Sequence, residues 1–512
     1  MPKTPFIRRL FCEETAVFLA TWFFLMWTGR DKLFRDPGAF SHVIWGDRLL
    51  SSRALIHADT YSFTFAGEPW ISQQWLGDGL MSLVHGLGGL DALLLVTATS
   101  FALLNAWLMN RMMKAGLHFL LALSILALYS LAGAHHYHVR PHVASIIFMA
   151  VTFSFLCRFE AGQLKSWRSF LLLTPLFILW TNLHGGILGG LGTVAIALLG
   201  WSFLRIFFDQ PPIRSRREML FLFIVFLFYA LSIFVNPYGA EMPRAWFSIM
   251  SSDLIPRMIQ EHASLVRTGT WQVLALGIFY VAALIGIHPE RPRVTWLIPL
   301  VWLALTWSRT RNAPLFAVAA VIALSEFLPR VRWARWLSSK GSVVFRMGAP
   351  EPRAKRIALS HLAVPSALVA ASMVLILMSV PVPLLGQGWV KLDNKHWPAD
   401  LLQEIRKYEA RNPEGSPILN DMKFGGFLMY HAPRLRVFID DRCELYKDDF
   451  LREYAAADPA KIEKWAKEYN IRIALAEPGS AFDHHFRNDP GWKVMKAGKS
   501  ATLYERVALE HS

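Results

Sequence analysis

Residues 31–78 read DKLFRDPGAFSHVIWGDRLLSSRALIHADTYSFTFAGEPWISQQWLGD, a polar interval enclosed between two apolar stretches. It carries too many charges to cross a bilayer, yet its aromatics suit a membrane surface. Upstream lies an apolar segment at 13–29. Downstream, similar runs recur at 89–109, 116–134, 143–158, 169–183, 186–208, 219–235, 271–287, 294–308, 314–328 and 362–381. Most approach the roughly 17–25 residues that cross hydrocarbon. Hydrophobic residues make up 54% of the 512-residue chain, and no soluble core of this length needs so many apolar runs. The expected fold is a polytopic α-helical membrane protein of about eleven transmembrane helices, followed by a soluble C-terminal α/β domain. Segment 76–88 (LGDGLMSLVHGLG) is short and broken by glycine, so it reads as an interfacial helix leading into the second span.

The flanking charges orient these spans. Lys3, Arg8 and Arg9 precede AVFLATWFFLMW, but no small-x-small cleavage pattern follows, so this is read as an uncleaved first span. Cations gather in alternate connections: Arg111 and Lys114; Arg158, Lys165 and Arg168; Arg214, Arg216 and Arg217; Arg291 and Arg293. The richest is 329–361, with Arg330, Arg332, Arg335, Lys340, Arg346, Arg353, Lys355 and Arg356. The connections HHYHVRPH, TNLHGG and RTRNAP are shorter and less basic. The positive-inside rule then places the N-terminus in the cytoplasm of a bacterial inner-membrane protein. An odd span count puts everything after about residue 382 outside, in the periplasm. The net charge of +15 is accounted for by these loops, and no recognition motif joins it to nucleic acid. RVRWARWL within the last basic loop reads as a topology anchor, with an interfacial helix on anionic lipid as the alternative. Cys12, Cys157 and Cys443 form neither a metal spacing nor a disulfide framework.

The chain therefore divides into residues 1–382, a transmembrane domain with its first outer loop at 30–78, and residues 383–512, an outer-face domain. In the latter PADLLQEIRKYEA predicts an amphipathic helix, SPILND a strand, KFGGFLMYHAP a helix or turn, and LRVFID a second strand. AKIEKWAKEYN predicts another helix, IRIALAE a third strand, and WKVMKAG with ATLYERV a terminal hairpin. Strands alternating with helices imply a largely parallel sheet, and no glycine-rich nucleotide loop is present.

Polar residues concentrate where spans emerge on the outer side. Asp36 precedes a Pro37–Gly38 turn, with His42 and Asp47 beyond it; Asp36 either faces a cavity or simply caps a helix. His135, His136, His138, Arg140 and His142 follow the third span, as a metal site or as ordinary loop histidines. Trp180, Asn182 and His184 follow the fifth, Asn236, Pro237 and Tyr238 the seventh, and Arg309, Arg311 and Asn312 the ninth. Arginines on the less basic side favour an anion-binding role. Asp440, Asp441 and Arg442 end a predicted strand, where α/β domains place ligands; a local Asp–Arg pair is the alternative. Convergence of these clusters implies an outward-facing site.

The stretches DPGAFSHVIWGDRLL, HADTYSFTFAGEPWISQQWLGD, VRPHVAS, WTNLHGG, NPYG and GGFLMYHAPRLRVFIDDRCELY resemble the C-type glycosyltransferase superfamily, and within it a bacterial family of uncharacterised membrane glycosyltransferases. The resemblance implies a polyprenyl-phosphate sugar donor, a glycan, lipid or protein acceptor approaching from outside, and Asp36 as catalytic carboxylate. Gly38 and Gln74 depart from it, because related sequences often carry acids at those places. Sugar transfer needs a base for the acceptor hydroxyl, with Asp36 first and His42 and Asp78 in reserve. It also needs cations for the departing phosphate, and Arg140, Arg309 and Arg311 are the candidates. Trp70, Trp75, Asn182, His184, Tyr238, Asp440 and Arg442 are the expected cavity residues. The chemistry expected is inverting hexosyl or pentosyl transfer. No metal ligands are assigned, and a divalent metal stays open as a cofactor. The competing readings are an envelope-glycan ligase or polymerase using histidine and arginine, a transporter, and a non-catalytic scaffold.

Overall fold

The computed structural model describes residues 10–164, 167–252, 254–258, 262–348 and 358–507. Lys3, Arg8, Arg9, Lys165, Arg353, Lys355 and Arg356, all used above for orientation, lie outside the described residues.

Every predicted span contains helix. Among the described residues seven helices are long and apolar enough to cross a membrane: Trp75–Lys114, Phe119–His136, His142–Glu160, Ile187–Phe208, Arg216–Phe234, Thr310–Arg330 and Leu359–Leu377. Helices Trp271–Ile285 and Val294–Ser308 are apolar but shorter. Helix Glu13–Lys32 carries Glu13, Glu14, Arg30 and Lys32 at its ends, which confine its apolar stretch to the middle. The segment expected as one helix over 169–183 is two pieces, a 3-10 turn Trp167–Leu173 and an α-helix Thr174–Leu183. Pro175 sits in the first turn of the second piece, where its missing N–H costs nothing, and so it marks the restart.

Helix Ala313–Phe327 runs through the centre of the bundle with nearly every residue buried. Its small alanines allow neighbouring helices to approach closely. Segment 76–88 is helical and continues toward Lys114, but the backbone breaks at Gly88 and Gly89. Gly89 has φ +64° and ψ −149°, a conformation open to glycine alone, and a Cβ on Gly88 would collide with Ile376 of the last span. Just past the break, Asp91 accepts the backbone N–H groups of Gly388 and Val390, each at 2.7 Å. Trp389 between them donates to Met26 O at 2.7 Å, with Arg30 4.1 Å over its ring. The chain leaving the last span is thereby strapped onto the first.

The tail folds around five strands, β1 (Pro417–Asn420), β2 (Arg436–Val437), β3 (Ile473–Ala476), β4 (Trp492–Ala497) and β5 (Thr502–Arg506), in the order β2-β1-β3-β5-β4. β1 pairs in parallel with β2 and β3, whereas β5 is antiparallel to both β3 and β4. The sheet is mixed rather than largely parallel, because the terminal hairpin supplies two of its strands. The strand expected over 435–440 is shorter, and helices Cys443–Ala456 and Ala481–Asn488 were not anticipated.

The first loop is part of this tail. Phe63 N donates to Val437 O and Val437 N to Tyr61 O, each at 3.1 Å, so Tyr61–Phe63 extends the sheet beyond β2. Trp45, Ile56 and Trp70 share one hydrophobic core with Phe438, Tyr446 and Trp465, and Phe40 enters a second with Trp397 and Phe427. Burial of this apolar surface fixes the tail over one end of the bundle.

Candidate functional site

Helix Gly38–Ser52 lies beneath the tail, and its N-terminus creates the centre of the site. Asp36 Oδ1 accepts the Gly38 N–H at 2.8 Å, and Arg140 Nη1 donates to Asp36 Oδ2 at 2.9 Å. The carboxylate thus lies between a helix N-terminus and a guanidinium, both favouring its charge. Side-chain exposures of 14% for Asp36 and 21% for Arg140 leave the pair open to solvent at one side. Gly38 now has a reason. A Cβ there would stand 2.8 Å from both Arg140 Nε and Asp36 Oδ1, so the space beside the turn is taken by Arg140.

A second carboxylate arrives from the tail. Ser41 Oγ, one turn into the helix, donates to Asp441 Oδ1 at 2.9 Å. Oδ2 of Asp441 has no hydrogen bond among the described residues. Burial and the neighbouring Asp440 push the Asp441 carboxyl up to about 6, with Asp36 acting in the same sense and Arg140 and His42 against it. Asp36, Arg140 and Asp441 are therefore close enough to feel one another, although they come from three distant parts of the chain. The approach requires Gly426, where a Cβ would lie 2.5 Å from Pro37 O and Ser41 Oγ.

His184 faces the same region. Its Nδ1 accepts the Gly186 N–H at 2.9 Å and the Ser145 hydroxyl at 2.8 Å, while Ser145 Oγ accepts Trp180 Nε1–H at 2.7 Å. Nδ1 cannot also carry a proton, so the neutral ring holds its hydrogen on Nε2. Burial, then the charges of His142, Arg311, Arg140 and His42, hold the imidazole well below its ordinary range. Arg311 is thus near His184; its Nη1 lies 2.5 Å from His262 Nε2. Arg309, on the same turn, makes no side-chain hydrogen bond or ion pair among the described residues.

The other sequence candidates are placed differently. His42 Nδ1 and Asp78 Oδ1 are 2.7 Å apart with side chains only 2% and 1% exposed, and Ser72 Oγ donates to the other Asp78 oxygen. This buried pair pins helix Gly38–Ser52 to the start of Trp75–Lys114 and offers no open carboxylate. Asp440 and Arg442 do not line an opening either. Arg442 donates to both Asp440 oxygens at 2.8 and 2.6 Å and pairs with Asp59 at 2.7 Å, all three side chains being fully enclosed. Trp70 stacks over that guanidinium at 4.8 Å and donates to Glu444 Oε1 at 3.0 Å. Trp75 Nε1 donates to Asn182 Oδ1 at 2.9 Å, joining two spans at this end. Tyr238 is buried against His57 of the first loop, ring centroids 5.4 Å apart. Gln74 is the N-cap of Trp75–Lys114, with its Oε1 buried.

Among the described residues the loop histidines form no metal-ligating group. His138 Nε2 turns to His135 O at 3.1 Å and His142 Nε2 to His136 O. Ser41 is the residue to which the sequence gives no role; the run DDR marked Asp440, Asp441 and Arg442 together without saying which acid faces the site.

No protein-family model and no curated protein sequence matches the chain. Solved structures of similar fold include two membrane proteins. One is the archaeal oligosaccharyltransferase AglB from Archaeoglobus fulgidus, in complex with an inhibitory peptide and a dolichol-phosphate, with TM-score 0.51 and 12% identity over 91% of this chain and 69% of that one. The other is ArnT from Cupriavidus metallidurans bound to undecaprenyl phosphate, with TM-score 0.50 and 15% identity over 97% of this chain and 98% of that one. At these identities the likeness is one of fold: an apolar helical bundle that carries a smaller C-terminal domain.

Proposed function

We propose that this protein is a membrane glycosyltransferase that moves a sugar from a polyprenyl-phosphate donor to an acceptor. The reaction would occur at the tail-bearing face, which the loop charges assign to the outside of a bacterial inner membrane. The observation that carries the reading is the meeting of Asp36, Arg140 and Asp441 at one partly open site beneath the tail. Two solved proteins of similar fold hold dolichol-phosphate and undecaprenyl phosphate, which supports a lipid-linked donor.

The geometry divides the labour. Both oxygens of Asp36 are engaged, so its task is to aim Arg140, whose guanidinium would take the donor phosphate. Asp441 keeps an oxygen open and titrates near 6, which suits a general base at neutral pH. In a single displacement the acceptor hydroxyl gives its proton to Asp441, and its oxygen bonds to the anomeric carbon. The bond from that carbon to the phosphate oxygen breaks, and the lipid phosphate leaves with the electron pair toward Arg140 and Arg311. One such step inverts the anomeric centre. His184 sits too low to be protonated near neutrality, so it would serve as an Nε2–H donor and not as an acid. That weakens the ligase reading, which needs a working histidine.

The test is donor capture. Purified protein is saturated with native lipid extract, and bound lipids are identified by mass spectrometry. A polyprenyl-phosphate species should be retained by the native chain and lost from Arg140→Gln. Retention of none by the native protein overturns the reading. Transfer that survives Asp36→Asn and Asp441→Asn together but fails in His184→Ala would instead establish the ligase chemistry.

A further inference from the structure

In the tail, helix Pro459–Glu468 faces helix Ala481–Asn488. Glu463 projects from the first, His485 from the second, and Asp489 is the C-cap of the second. One ligand atom from each lies within 4.8 Å of the other two. His485 Nε2 and Asp489 Oδ2 are 3.9 Å apart, beyond hydrogen-bond reach. His485 Nε2 and Glu463 Oε2 are both buried without a hydrogen-bond partner, and the His485 side chain is only 7% exposed. Buried polar atoms are rarely left so, and two of them facing a third across a gap call for something between.

The outer faces of the two acids are already used. Glu463 Oε1 takes Arg506 Nη2 at 2.5 Å and lies 3.5 Å from Lys467 Nζ, while Asp489 Oδ1 accepts the Gly491 N–H at 2.7 Å. These contacts leave Oε2 and Oδ2 for the gap, and they resemble the outer hydrogen bonds that orient ligating carboxylates. We propose that Glu463, His485 and Asp489 bind one divalent transition-metal ion, of which Zn²⁺ is the best match, and that the ion ties the two helices together. One imidazole and two carboxylates suit such an ion. Bonds of roughly 2.0–2.2 Å would draw the ligand atoms inward by about an ångström, and a fourth position would remain for water. This site is independent of the sugar-transfer reading.

The full-length protein, stripped with chelator and returned to metal-free detergent buffer, would be titrated with Co²⁺ and then with Zn²⁺. One equivalent should bind to the native chain with a tetrahedral cobalt absorption band that Zn²⁺ abolishes, and Zn²⁺ should raise the melting temperature. His485→Ala and the milder Glu463→Gln should both lose that equivalent, whereas Asp449→Asn, an exposed control, should keep it. Metal bound by the loop histidines would survive in His485→Ala, so the difference between native and variant isolates this site. Equal uptake by native and both variants, or none by the native chain, means that a water fills the gap and overturns the proposal.

Discussion

Asp440 and Arg442 flank Asp441, yet the three residues belong to two different environments. Asp440 and Arg442 turn inward into a closed triad with Asp59, in which Tyr446 Oη adds a bond to Asp440 at 2.9 Å. Asp441 turns the other way, takes one bond from Ser41, and leaves an oxygen open. The closed group staples the tail to the first loop, and the open one faces the bundle. A buried charge costs least when it is paired with its opposite, while a reacting carboxylate must keep some hydrogen-bonding capacity in hand. The two roles fall on the adjacent residues Asp440 and Asp441, just past β2.

Breaking the closed group should have the largest effect. Arg442→Met leaves Asp59 and Asp440 facing each other without a cation in a site from which solvent is excluded. The expected cost is about 3–5 kcal/mol of stability, the penalty for orphaning buried charge. Thermal unfolding in detergent would read it, and an unchanged melting point would show that the triad does not hold the tail. Arg442→Lys should recover little, since one ammonium cannot reproduce a fork that serves two carboxylates.

Asp441→Asn tests the open group and should do the reverse. Stability should hold or rise slightly, because a carboxyl whose folded-state value is raised is penalised when charged. Its stabilising contribution is present only at low pH and is lost as pH climbs through about 6. Transfer should fall by roughly 10²–10⁴-fold, the usual worth of a positioned base. In the native protein the rate should grow with pH up to about 6 and level off above, since only the ionised carboxylate accepts a proton. A pH profile of the same shape in Asp441→Asn would remove Asp441 from the role.

Gly38→Asp is the intermediate case, placing an acid beside Arg140. The new side chain would begin 2.8 Å from Arg140 Nε and Asp36 Oδ1, so Arg140 must give way. Lipid-phosphate retention should weaken about tenfold, equal to ~1.4 kcal/mol, as measured by the half-saturating lipid in the capture experiment. Unchanged retention would mean that Arg140 does not meet the phosphate.

These contrasts show what sequence could and could not reveal. The spans were legible because hydrocarbon imposes length and apolarity locally. Tail strands and helices were legible where apolar residues form a short run, as in IALA, or recur at helical spacing, as in KIEKWAKE. The break at Gly88 and Gly89 was visible as glycines in an apolar run. Asp441 was not legible, because its orientation depends on Ser41, 400 residues away, and nothing in DDR distinguishes the inward acid from the outward one. Gly38 misled for the same reason. It read as a lost acid when it is the space for an arginine that the chain supplies 102 residues later. His42 and Asp78 looked like spare bases, and only the structure shows them paired with each other and enclosed.

Trp75→Phe gives the smallest expected effect and the finest test of where the open region ends. Trp75 was an expected cavity residue, but its indole N–H is committed to Asn182 Oδ1, whose amide in turn donates to Ile178 O at 2.8 Å and Val235 O at 2.9 Å. Phenylalanine keeps the ring and removes only the donor, leaving one acceptor unpaired at a partly buried position. About 1 kcal/mol should be lost, seen as a melting-point drop of ~2 °C, with transfer within twofold of native. If the melting point is unchanged and transfer falls tenfold, the indole belongs to the open region, and the boundary between the structural and reactive parts must be redrawn around Asn182.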